Sequence, residues 1–172
     1  MSETPEVSES PQELRMTIKG LMLDPSSNVP IVILKQEDSQ VFLPIWIGVF
    51  EANAIALRIE EVETPRPMTH DLLHSALETL QAVVEKIVIS DLQENTFYAR
   101  IHLRQNGESL QIDARPSDAI ALAVRAEAPI FVSKPVLERA QAVDLASQLN
   151  DEEKLRKWLE EVSPEDLGKY EM

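Results

Sequence analysis

Eight side chains able to carry acid–base, cation-binding or anion-binding chemistry fall in three short segments of the 172-residue chain. Glu51 lies in LPIWIGVFEANAIAL (43–57), Arg66, His70 and Asp71 in PRPMTHDLL (65–73), and Asp113, Arg115, Ser117 and Asp118 in DARPSDAIALAVR (113–125). Glu51, Asp113 and Asp118 are hard oxygen ligands suited to Mg2+ or Mn2+. Arg66 and Arg115 can hold anionic oxygens through paired N–H donors, with the Ser117 hydroxyl as a further donor. His70 titrates closest to neutrality and can give or take a proton, and the carboxylates of Glu51, Asp71 and Asp118 are further acid–base candidates.

Each of these residues also has a structural reading. Glu51 stands three residues after Gly48, Asp118 three after Arg115 and Asp71 two after Thr69, which puts all three carboxylates in first helical turns, where they favour the macrodipole. Arg66 and Arg115 each precede a proline and so sit in extended backbone at helix entrances, free to pair with Asp113 or Asp118. A separate pattern, HDLLH at 70–74, sets His70 and His74 on one helix face as in the zinc protease motif HExxH. Asp71 occupies the general-base position, one methylene short of Glu, and the remaining histidine, His102, lies in a strand segment, so a third zinc ligand is not evident.

The elements that must position these groups can be read from periodicity. LRMTIKGLMLD, VPIVILKQ and VFLPIWI read as three strands separated by the turn-forming DPSSN and EDSQ. A helix follows from about Val49, with Phe50, Ala54, Leu57 and Glu61 at helical spacing, until Pro65 and Pro67 forbid it. A second helix starts near the N-cap candidate Thr69 and carries one apolar stripe, Leu72, Leu73, Ala76, Leu77 and Leu80. EKIVISDLQ, TFYARIHLR and SLQIDA are three further strands, with Glu94-Asn95 and the stronger Asn106-Gly107 at hairpin positions. Pro116 opens a third helix, PIFV is a short strand, and the polar remainder from Lys134 reads as mostly helical. Blocks of strands joined by tight turns predict an α+β fold, mainly antiparallel, with packed helices. The expected organisation is a disordered acidic tail at 1–13, a single compact domain at 14–140 and a C-terminal helical extension at 141–172. Trp46 is expected to pack and Trp158 to dock the terminal helix.

Composition narrows the function classes. No window reaches the roughly 18 apolar residues of a membrane span, and MSETPEVSESPQE is acidic where a secretory signal would be basic then apolar. Cysteine is absent, which removes disulfides and thiolate chemistry and fits a reducing cytoplasm. Among four glycines there is no phosphate-binding loop or dinucleotide fingerprint, so no organic cofactor is expected. The net charge of −14 opposes broad attraction to nucleic acid. That excess is concentrated at the ends, since residues 14–149 hold 18 acids against 12 bases.

In order and spacing the three segments resemble the signature blocks of the bifunctional nuclease family, over roughly residues 14 to 140. The resemblance implies a compact α+β domain and a nuclease acting on RNA or DNA, with nucleic acid as substrate. Phosphodiester hydrolysis needs an activated water, charge stabilisation on the phosphate and help for the leaving oxygen. On this reading Glu51, His70, Asp71 and Asp118 are catalytic, Arg66, Arg115 and Ser117 bind phosphate, and Glu51, Asp113 and Asp118 hold a divalent cation. The alternative is a non-enzymatic regulatory protein that uses the same cluster to bind an anion or a partner. Apolar strands such as PIVIL and LPIWI would suit a homo-oligomer.

Overall fold

A computed structural model describes residues 12–140 of the chain. Of the tail expected at 1–13, Glu13 instead opens the first strand, paired with Ser133, while residues 1–11 and the C-terminal extension, with its expected Trp158 contact, lie outside the described residues. Seven strands and four helices alternate in blocks: β1 (Glu13–Leu23), β2 (Pro30–Gln36), β3 (Phe42–Trp46), α1 (Val49–Ile59), α2 (Thr69–Thr79), β4 (Val83–Gln93), β5 (Thr96–Gln105), β6 (Glu108–Ala114), α3 (Pro116–Ala126), β7 (Ile130–Ser133) and α4 (Lys134–Arg139). The strands form one sheet in the order β3-β2-β1-β7-β4-β5-β6. All neighbours are antiparallel except β4 and β7, which run parallel. The fold is α+β, as the block pattern implied.

Local chemistry accounts for the hairpins. Glu94 and Asn95 both have positive φ, as do Asn106 and Gly107, so each pair forms a two-residue turn whose twist matches its flanking strands. Gln93 then faces Thr96, and Gln105 faces Glu108. The β1–β2 turn is tied by Asn28 N–H donating to the Asp24 carbonyl at 2.8 Å and Ser26 N–H to the Asp24 carboxylate at 2.9 Å.

One face of the sheet carries the main core. Ile87 and Ile89 of β4, Ala99 and Ile101 of β5 and Val132 of β7 meet Ile55 of α1 and Ile120 and Leu122 of α3. Where α1 crosses α3 the buried residues are mostly alanines, Ala52, Ala54 and Ala56 on one and Ala119, Ala121 and Ala123 on the other. Side chains that end at Cβ let two helices approach closely, and here that closeness sets their starts side by side. The apolar residues of PIVIL, Ile31 to Leu34, are buried within the subunit.

One expectation fails, and two apolar features lie largely in solvent. Trp46 does not pack: it is 54% exposed, and its indole N–H donates to Asp24 at 2.9 Å, because its strand position points away from the core. Phe50, at the second position of α1, is exposed and not among that helix's buried residues. Of the leucine stripe of α2, Leu77 is half-buried against the core while Leu72 and Leu73 are exposed. No residue of α2 is buried, and Leu72 and Leu80 are each 62% exposed.

Candidate active site

The starts of α1, α2 and α3 open onto one cleft of about 840 Å3, which also borders Ile101 of β5 and the end of β6. Each start is set by its own sequence. Gly48 is the N-cap of α1, Met68 follows Pro67 and caps α2, and Arg115, held extended by Pro116, caps α3. Thr69 is therefore the first helical residue of α2 and not its cap. Neither Gly48 nor Arg115 supplies a side-chain hydrogen bond to its helix, and at α2 Asp71 reaches back to accept the Met68 N–H. The positive ends of three helix dipoles thus border a single space.

A continuous polar chain crosses it. His70 Nε2 lies 2.8 Å from Asp118 Oδ1, linking α2 to α3. Arg115 donates from Nε to Asp118 Oδ2 at 2.9 Å and from Nη2 to Glu51 Oε1 at 2.7 Å, linking α3 to α1. Two carboxylate partners, Glu51 foremost, raise the Arg115 pKa above its ordinary value. The Arg115 side chain is 65% exposed while that of Glu51 is 15% exposed, so the guanidinium faces solvent over a sheltered acid. Asp113, at the exposed end of β6, borders the same cleft. Glu51 folds back over its own helix start: a Cβ built on Gly48 would collide with the Glu51 carboxylate.

The other candidates lie elsewhere. Asp71 and Arg66 border a second cleft, beside the loop between α1 and α2. Asp71 Oδ1 accepts from Arg125 Nε at 2.6 Å, and its second oxygen accepts from Met68 N–H at 2.9 Å. Burial raises the Asp71 pKa, but the Met68 N–H and Arg125 outweigh it, and the net shift is downward. Arg125 is buried and also donates to the carbonyls of Ala121 and Ala54. Ser117 is buried at the second position of α3 and does not border the first cleft. His74 faces Glu78 at 3.7 Å, one turn along α2. His102 pairs across the sheet with Lys86, and burial together with that lysine lowers its pKa.

A divalent cation needs several donors around one point. Here the Arg115 guanidinium stands between Glu51 and Asp118, and among the described residues no three His, Asp or Glu side chains are grouped to hold a metal ion. As arranged, the donor set does not fit a cation, and the HDLLH pair gains no third ligand. The sequence reading missed Gly48, Phe50 and Arg125. A glycine just before a helix and an arginine closing an alanine-rich helix were the available signals.

No helix of the described residues is long and apolar enough to cross a membrane. The sequence model of the bifunctional nuclease domain matches residues 32–144. An uncharacterized protein of Mycobacterium tuberculosis is 37% identical over 159 residues, 87% of this chain and 95% of the relative. Bifunctional nuclease 1 of Oryza sativa is 28% identical over 109 residues, 61% of this chain, and bifunctional nuclease 2 of Arabidopsis thaliana 26% over 107 residues, 60% of this chain. The chain spans 33% and 32% of the lengths of those two plant proteins. The matched span contains all three segments that meet at the cleft, and the chain belongs to the bifunctional nuclease domain family.

Proposed function

We propose that this chain is a nuclease that hydrolyses phosphodiester bonds of RNA or DNA at the cleft onto which the starts of α1, α2 and α3 open. The observation that carries the reading is the unbroken chain His70–Asp118–Arg115–Glu51, built from three separate segments at three helix starts. A phosphoryl oxygen meets the exposed Arg115 guanidinium, which offsets charge that develops there in the transition state. Asp118 accepts the Nε2–H of His70, fixes the tautomer and leaves Nδ1 as the basic nitrogen for proton transfer. Glu51 holds Arg115 from the opposite side, and the helix starts add positive potential. No step is routed through a metal: Arg115 engages Glu51 and Asp118, and Asp113 alone of the three carboxylates expected to bind one is left without that partner.

The acidic balance of −14 supports a second reading, a non-enzymatic protein that binds an anion or partner at the same cleft. The test is cleavage of end-labelled single-stranded RNA and DNA by the purified chain, with a chelator and with a panel of divalent cations. The parent should cleave, and folded Arg115→Ala should cleave about a hundredfold more slowly. No cleavage under any condition, or equal rates, would leave the binding reading in its place.

Assembly belongs to the same proposal. Leu72 in the first turns of α2, Leu80 at its C-cap and Val83 at the start of β4 are each more than 60% exposed, apolar surface that a second copy would cover. Sedimentation should show an oligomer that Leu80→Glu dissociates; a monomeric parent would refute it.

A further inference from the structure

We infer that the apolar half of the cleft is a nucleobase subsite, with Phe50 as the platform on which the base beside the bound phosphate stacks. The inference rests on the proposal that Arg115 receives that phosphate, and it defines the ligand as a single-stranded segment or free nucleotide. Phe50 is 83% exposed, more than any other large apolar side chain among the described residues. An apolar ring left in water costs free energy unless something covers it. It adjoins Glu51, the acid that holds Arg115, so the ring and the guanidinium border one opening. Leu73 of α2 and Ile112 of β6 border it too, 37% and 43% exposed, while Leu77 and Leu122 lie deeper. A volume of about 840 Å3 falls in the range of small-molecule sites, and base, sugar and phosphate fit it without induced opening.

Charge argues against a duplex. A double helix is gripped by many cationic contacts along its backbone. This cleft offers one guanidinium among three carboxylates, Glu51, Asp113 and Asp118, and residues 12–140 hold 18 acids against 12 bases. One phosphate at the Arg115 end and one flat apolar ring at the Phe50 end match what is present. Stacking requires an unpaired base with an accessible face, and it accepts any base. The subsite therefore selects for single strands without selecting sequence.

The test uses the full chain and fluorescence anisotropy with two short phosphorothioate oligodeoxynucleotides, one bearing bases and one abasic, neither readily cleaved. The parent should bind the base-bearing strand about tenfold more tightly, in line with one stacked base. Phe50→Ala should bring that ratio close to one, whereas Trp46→Ala, which removes an exposed aromatic outside the cleft, should keep it. Equal affinity of the parent for both strands, or a ratio unchanged in Phe50→Ala, would overturn the subsite. So would a changed sedimentation coefficient in Phe50→Ala, which would assign the ring to a contact between copies. Binding is read separately from cleavage. A protein that shows the ratio but cuts nothing retains the subsite and loses the nuclease reading, while one that cuts and shows no ratio does the reverse.

Discussion

Replacing Asp71 with Asn should unfold the domain more easily without entering the chemistry of the cleft. Asp71 is the acidic partner of Arg125, whose side chain is only 6% exposed. Removing the charge leaves a buried guanidinium with two carbonyl acceptors, Ala121 at 2.9 Å and Ala54 at 3.1 Å. Breaking a fully buried pair costs about 3–5 kcal/mol. The Asp71 side chain is 34% exposed, so water replaces part of the lost contact, and about 2 kcal/mol is the expected loss. Since α2 buries no residue of its own, this pair is a principal tie between α2 and the helices beneath it. Urea unfolding at pH 7 should show a midpoint lowered by about 1 M, taking a slope of about 2 kcal/mol per M. The effect should depend on pH in one direction. Because the folded Asp71 pKa lies below its ordinary 3.8, its contribution is complete above that value and is lost as the pH falls through the folded one. Parent and variant should therefore converge in stability in strong acid. A midpoint at pH 7 within about 0.2 M of the parent would refute the assignment, as would a difference that grows on acidification.

Two further substitutions probe the frame around the site. Gly48→Ala should slow cleavage at least tenfold with little loss of stability, because its Cβ would displace the flexible Glu51 carboxylate from Arg115 while the φ of −71° suits any residue; thermal melting and initial rates check the split. Gly107→Ala should lower stability by about 1 kcal/mol through its φ of +80°, measured by urea unfolding, with activity per folded molecule unchanged.

Most of the fold was legible because its decisive signals are local. Asn106-Gly107 specifies a hairpin through the backbone freedom of two residues, and Pro116 marks a helix start by what its ring forbids. The seat of β7 between β1 and β4, parallel to β4, was not legible, because it depends on contacts between residues far apart in sequence. The leucines of α2 carry helical spacing, yet periodicity does not reveal how much of a stripe meets a partner surface: Leu77 packs against the core while Leu72 and Leu73 stay exposed. The candidate site divides along the same line. Glu51, His70, Arg115 and Asp118 could be chosen by residue type, and Asp113 borders their cleft. Asp71, adjacent to His70 in sequence, turns about the helix axis toward Arg125. Neighbours in a helix point about 100° apart, so one segment can serve a reaction with one residue and the fold with the next.

The most direct test of the account is the single-turnover rate at which folded Asp118→Asn cleaves a single-stranded substrate, compared with the parent. Asn keeps the size of Asp118 but removes the charge that orients His70 at 2.8 Å and pairs with Arg115 at 2.9 Å. The rate should fall about a hundredfold or more, with circular dichroism and the unfolding midpoint near those of the parent. A variant that is destabilised yet cleaves at the parental rate per folded molecule would contradict it, and would make His70–Asp118–Arg115–Glu51 a tie between three helices.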